Sequence, residues 1–139
     1  MSETRSVVVE REMPHPPEKV WRALTQPHLM EAWLMKNNFA PRVGHRFNLR
    51  GNWGGVLDCE VREVDPPRSL SYSWDFNHED PAFALRSVVT FTLTPTPGGT
   101  RLRVEQAGFR PSQKQALGGA LHGWNDMLGK LDALVAGLD

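Results

Sequence analysis

The sequence predicts an α+β fold in which a curved antiparallel sheet of six or seven strands grips one long C-terminal helix. Three observations predict it. Leu70, Tyr72, Trp74 and Phe76 alternate with Ser69, Ser71, Ser73 and Asp75, the period of a strand with one buried face. Leu117, Leu121, Trp124, Leu128, Leu131, Val135 and Leu138 recur at steps of four and three, the period of one helical face. Pro16, Pro17 and Pro27 punctuate two short helices directly after a first strand.

The elements follow in order. Residues 4–13 form a strand with Val7, Val9 and Met13 on one face and Val8, Glu10 and Glu12 on the other; Arg11 interrupts the apolar face. Pro17 suits a first helical turn, and Val20 and Leu24, four apart, share its buried stripe. Pro27 stops that helix and starts the next, whose apolar side is Leu29, Met30 and Trp33. Residues 34–45 read as a loop, punctuated by Pro41 and Gly44. Phe47 and Leu49 make a short strand. Leu57, Cys59 and Val61 make another, whose phase slips at Glu63-Val64, which predicts a bulge or the end of the strand there.

After the clearest strand, 70–76, a polar loop runs from Asn77 to Pro81. Val89, Phe91 and Leu93, then Leu102 and Val104, give two more strands around a Pro97-Gly98-Gly99 turn. Short turns between successive strands predict an antiparallel meander. The last helix of about 25 residues runs roughly 37 Å, enough to cross the sheet. Ser112 with Gln115 predicts a capping box. Gly118, Gly119, Gly123 and Gly129 each weaken the helix by roughly 1 kcal/mol if interior. The flanking charge pairs of a coiled coil are missing, so the stripe packs on the sheet.

Bulk properties narrow the function. The 139 residues suit one domain spanning 1–139, and a chain of this size buries roughly two-thirds of its unfolded surface. Sixteen basic and sixteen acidic residues cancel with no charge run, which argues against a nucleic-acid partner. No stretch approaches the roughly 20 apolar residues of a membrane helix, so no membrane partner is expected. A single cysteine, Cys59, and an N-terminus without an apolar signal core make the cytoplasm the expected location.

No motif demands catalysis: there is no His-Glu-x-x-His, phosphate loop, Cys-x-x-Cys or nucleophile elbow. The five histidines, at 15, 28, 45, 78 and 122, lack metal-ligand spacing. His122 and Asp126 make a solvated pair one turn apart, and His78-Glu79-Asp80 a polar hairpin loop. No metal and no cofactor are expected.

On the inward face most residues read as plain core, but Tyr72 and Gln106 carry polar groups that need partners when buried. A ligand, an ordered water or, for the tyrosine, a backbone carbonyl supplies them. Trp33, Phe39 and Trp53 flank the core or its mouth. Cys59, facing inward, is expected to be an inert thiol.

Four ordered pieces carry a family likeness. They are residues 16–24 with Thr25, Pro27 and Trp33; Val43-Gly44-His45-Arg46-Phe47; the run from Val61 through Pro66-Pro67 to Tyr72; and Gly98-Gly99-Thr100-Arg101-Leu102 leading to Gly108-Phe109. With them the chain resembles the domain family of the activator of heat shock protein 90 ATPase, within the START-related superfamily often called SRPBCC. The resemblance implies a helix-grip fold over nearly the whole chain. It also implies a choice of roles, since relatives include co-chaperones, ligand carriers, polyketide cyclases and resistance proteins.

Two departures bear on that choice. The eukaryotic co-chaperone carries a separate N-terminal domain that also binds the chaperone, whereas here the domain starts almost at Met1. Many relatives carry a histidine in the segment before Gly108-Phe109, where this chain has Gln106, so chemistry leaning on that imidazole is lost.

The leading expectation is a soluble protein that binds a small apolar or aromatic molecule between sheet and helix. Leu70–Phe76 and Val89–Leu93 form its floor, with Tyr72, Trp74, Phe76 and Phe91 as contacts; Trp124 and Leu128 are its lid, Trp33 and Phe47 further contacts, and Tyr72 and Gln106 orient polar substituents. The alternatives are a cofactor of a heat-shock chaperone in the stress response, and a cyclase- or hydrolase-like enzyme. The enzyme needs an acid–base pair, for which Tyr72 with His45 or Asp58 are the candidates.

Overall fold

The computed structural model describes residues 3–52 and 54–138. Strand β1 (Arg5–Met13) leads into two short helices, α1 (Pro17–Thr25) and α2 (Pro27–Trp33). Both helices open on proline, where the missing N–H costs no hydrogen bond. Six strands follow: β2 (Lys36–Asn37), β3 (Arg46–Arg50), β4 (Val56–Asp65), β5 (Ser69–Phe76), β6 (Leu85–Thr96) and β7 (Gly99–Phe109). The long helix α3 (Lys114–Ala136) ends the chain.

All seven strands form one curved antiparallel sheet in the order β1-β7-β6-β5-β4-β3-β2. Strands β2 to β7 pair with their sequence neighbours, as short turns require. β1 and β2 lie at opposite edges, so α1 and α2 carry the chain from one edge to the other and close one end of the grip. This is the helix-grip architecture expected from the element order.

One face of the sheet is buried by alternation. Val7 and Val9 on β1, Leu70, Tyr72 and Trp74 on β5, Val89 and Phe91 on β6, and Leu102, Val104 and Gln106 on β7 are all buried on it. The helix returns Trp124, Leu128, Leu131 and Val135. Arg11, on the apolar side of β1, is accommodated because its Nε donates to Asp132 Oδ2 of α3 at 3.1 Å. His15 Nε2 lies 2.9 Å from Asp132 Oδ1, so one carboxylate ties the C-terminal half of α3 to β1 and its following turn.

Several expectations need correction. Residues 34–45 are not all loop, because Lys36 and Asn37 pair with Arg50 and Leu49; two residues are too few to show a period. No capping box forms at Ser112 and Gln115. Gln113 is the N-cap instead, and its amide serves the preceding loop, accepting from Arg110 N at 3.0 Å and donating to Ala84 O at 2.7 Å. Leu121 leaves the buried stripe and is 44% exposed, since it sits about 60° around the helix from Trp124 at 3.6 residues per turn. Ser71 and Ser73, on the outer face, are buried too; Ser73 Oγ accepts from Glu60 N at 2.8 Å.

Strand β6 runs past Leu93 to Thr96. Pro95 is tolerated there because β5 pairs only as far as Thr92. The bulge expected near Glu63 is present, as a register shift between Val61 and Glu63. Trp53 lies outside the described residues.

The α3 glycines give a direct check. A Cβ added at Gly118 meets nothing within 4 Å. Gly118→Ala is expected to raise stability by about 1 kcal/mol through helix propensity alone, seen as a higher urea midpoint at unchanged slope.

Candidate functional site

The buried aromatic side chains form a continuous wall. Ring centroids run from Phe47 to Tyr72 at 5.1 Å, Tyr72 to Phe91 at 5.8 Å, Phe91 to Trp124 at 5.7 Å and Trp124 to Trp74 at 5.3 Å. Trp33 meets Phe91 edge-on at 6.3 Å. Its indole N–H donates to Ala23 O at 2.8 Å, which ties α2 to α1. Phe39 fills the gap beside Phe47 and Tyr72. This half of the interior is filled by side chains.

Beyond Trp124 the packing opens. A pocket of about 240 Å³ lies between the sheet and the first half of α3. Trp74, Leu85, Gln106 and Phe109 line it from the strands, and Ala116, Gly119, Ala120, Gly123, Trp124 and Met127 from the helix. Cβ atoms added at Gly119 or Gly123 would meet nothing within 4 Å, so these glycines border open space rather than a close neighbour. Three larger hollows lie elsewhere among the described residues, one of them, of about 420 Å³, between the end of β1 and the Pro97-Gly98 turn. Another of about 700 Å³ is bordered by the exposed Arg5, Arg110 and Lys114, and one of about 460 Å³ lies beside α2 and Lys130.

Of the nine residues expected to form the site, Trp74, Gln106 and Trp124 converge on the 240 Å³ pocket. Phe76 is half-buried and pairs across strands with Leu85 of its lining. Tyr72, Phe91, Phe47, Trp33 and Leu128 are buried in the packed interior and are not among the lining residues.

The polar groups of this interior are connected. Trp124 Nε1 donates to Gln106 Oε1 at 2.8 Å, Gln106 Nε2 donates to Ser87 Oγ at 3.1 Å, and Ser87 Oγ donates to the Trp74 carbonyl at 2.6 Å. Gln106 therefore finds protein partners at both ends of its amide. The Tyr72 hydroxyl and the Trp74 indole N–H have no hydrogen-bond partner among the described residues. Neither atom is fully sealed, because every fully buried side-chain nitrogen and oxygen among those residues is paired.

The acid–base candidates do not meet Tyr72. His45 Nε2 lies 2.9 Å from the Asn38 carbonyl oxygen. Asp58 is exposed on the outer face and accepts from Asn48 Nδ2 at 2.7 Å and from Asn77. Among the described residues no cluster of three metal-ligating side chains exists. No helix there is long and apolar enough to cross a membrane. His78 Nδ1 accepts from Asp80 N at 2.9 Å, which orders the polar loop from within.

Burial, with lesser contributions from the Asp75 and Asp58 carboxylates, pushes the Cys59 thiol up to about 12. Burial, then Cys59, raises Tyr72 well above the ordinary tyrosine range. Both acids are held neutral by the fold. The stability that Cys59 contributes is fully present below its ordinary value of 9.0 and is lost as pH rises towards about 12, because the unfolded chain ionises first. Denaturant midpoints are therefore expected to fall above pH 9, less steeply in Cys59→Ala. Equal slopes in the two proteins would contradict this.

Seven lining residues were not expected at the site: Leu85, Phe109, Ala116, Gly119, Ala120, Gly123 and Met127. Gly119 and Gly123 read only as weak points in a helix. Ser87 stands behind the pocket rather than in it; it continues the inward period of Val89 and Phe91, a signal visible once the strand is extended to Leu85.

Comparison with known proteins agrees with this architecture. A family model described as activator of Hsp90 ATPase homolog 1-like protein matches residues 14–136. Protein MLL2253 from Mesorhizobium loti is similar over 97% of this chain and 99% of its own, at 65% identity and a TM-score of 0.95. CalU16 from Micromonospora echinospora matches at 27% identity and a TM-score of 0.79, over 97% of this chain and 78% of its own. DynU16, a putative protein in the dynemicin biosynthetic locus, matches at 26% identity and a TM-score of 0.82, over 95% of this chain and 47% of its own. No curated protein matches the chain. With the family match spanning most of its length and the helix-grip architecture in place, the chain belongs to the family of activator of Hsp90 ATPase homolog 1-like proteins.

Proposed function

We propose that this protein binds a small, uncharged, largely apolar or aromatic molecule in the pocket between the sheet and the first half of α3. One observation carries the reading: a 240 Å³ space walled by Trp74 and Trp124, with Gly119 and Gly123 on its helical side. The volume is below the roughly 300 Å³ at which pockets for drug-sized ligands begin, so the ligand is small. Tyr72, Phe91, Phe47, Trp33 and Leu128 would be the rigid wall behind Trp124, and Phe76 would flank the mouth. The lining carries no titratable side chain, which favours binding over acid–base chemistry and a neutral ligand over an ion. The setting of DynU16 in a biosynthetic locus also favours small-molecule work. A free, buried thiol suits a reducing, cytoplasmic location.

A titration with apolar and aromatic compounds, followed by intrinsic tryptophan fluorescence, tests this. The wild type is expected to give a saturable change. Gly123→Leu, which puts a bulky side chain on the helical side of the space and is a good helix former, is expected to give none at an unfolding midpoint no lower than that of the wild type. A flat wild-type response to the whole panel would defeat the reading.

The family match favours a second reading, activation of a heat-shock ATPase through protein contact. Adding the protein to the chaperone of its own host and measuring ATP turnover decides it. An unchanged rate removes this role.

A further inference from the structure

The geometry points to a ligand class: a flat, neutral aromatic molecule carrying a hydrogen-bonding oxygen, read by Gln106 in an orientation that Ser87 sets. This rests on the ligand-binding reading above and deepens it. The chain of hydrogen bonds admits one direction only. An indole N–H donates and never accepts, so Trp124 must meet the Gln106 oxygen, 2.8 Å away. The Trp74 carbonyl accepts and never donates, so the Ser87 hydroxyl must give its proton to it, at 2.6 Å. The Ser87 oxygen is then an acceptor for Gln106 Nε2, at 3.1 Å.

Both ends of the amide are thus held by groups of opposite demand, and the amide cannot flip without breaking two bonds. A primary amide has two N–H donors and two oxygen lone pairs. One of each is used here. The second N–H and the second lone pair remain, on a side chain that is 2% exposed and lines the pocket. The indole N–H of Trp74, another lining residue only 7% exposed, has no partner among the described residues. Two spare donors and one spare acceptor beside aromatic rings select an uncharged oxygen substituent. A bare hydrocarbon leaves them unpaired, and a carboxylate finds no cation in the lining.

Ser87 is a positioning residue. It is buried, is not among the lining residues, and is itself fixed, because its N–H donates to Asp75 Oδ1 at 3.2 Å.

Calorimetric titration at pH 7 with naphthalene, 2-naphthol and 2-naphthoate tests the inference. In wild type, 2-naphthol is expected to bind about tenfold tighter than naphthalene, although it is the less hydrophobic of the two, and 2-naphthoate not to saturate. Ser87→Ala is expected to erase most of that preference while naphthalene affinity stays put. Ser87→Thr, which keeps the hydroxyl, should restore it. A merely structural serine would move both affinities together. Equal affinities in wild type, a preference for 2-naphthoate, or an unchanged preference in Ser87→Ala would overturn the inference while leaving a binding pocket intact. No binding of any of the three would instead bring down the ligand-binding reading itself.

Discussion

Replacing Trp124 with alanine is expected to cost about 3–5 kcal/mol, the range for removing a buried large aromatic side chain. Trp124 is 1% exposed, packs on Phe91 and Trp74, and donates to Gln106. A domain stability of about 5–15 kcal/mol would be cut to a thin margin. Trp124→Phe separates the two contributions. It keeps an aromatic ring and removes the donor to Gln106 Oε1, for an expected cost of about 1–3 kcal/mol. Urea unfolding of both variants measures this. A cost below about 1 kcal/mol for Trp124→Ala would mean that the ring is not the keystone between wall and pocket.

Gly108→Ala is expected to be nearly as damaging, by about 3 kcal/mol, although it adds one methyl group. Gly108 is the extra residue of a bulge in β7, where Arg5 pairs with Phe109 but Ser6 pairs with Ala107. Its φ is +127°, a conformation that L side chains rarely adopt. A Cβ there would stand 2.3 Å from the Arg86 carbonyl oxygen and 3.0 Å from Ser87 Cα, both backbone atoms of the neighbouring strand. The displaced segment carries Ser87, so the variant is expected to lose its grip on Gln106 as well as stability. The identical change at Gly118, where a Cβ meets open space, has the opposite sign. A drop in midpoint at Gly108 with no drop at Gly118 checks the pair.

Much of this architecture is legible in the sequence, for identifiable reasons. β5 is visible because its two faces differ so sharply, aromatic against serine. α1 and α2 are visible because Pro17 and Pro27 mark their first turns. β2 is invisible because two residues carry no period. The polar pair Tyr72 and Gln106 stands out by residue type, yet the partners of Gln106 lie 18 and 19 residues away on other elements. Their meeting depends on the register of β6 with β7 and on the path of α3, neither of which any local pattern encodes. The same holds for the pocket. Gly119 and Gly123 announce a weakened helix, and only the three-dimensional course of the sheet beneath shows that the space beside them is empty.

The indole N–H resonances of the tryptophans test the central claim most directly, because Trp124 borders the pocket and Trp33 is tied to Ala23 O on the other side of the aromatic wall. Titrating a two-dimensional proton–nitrogen spectrum with 2-naphthol is expected to shift the Trp124 and Trp74 signals in a saturable way and to leave Trp33 in place. A Trp124 signal that stays fixed at saturating ligand, or one that moves no more than Trp33, would contradict a binding pocket beneath α3.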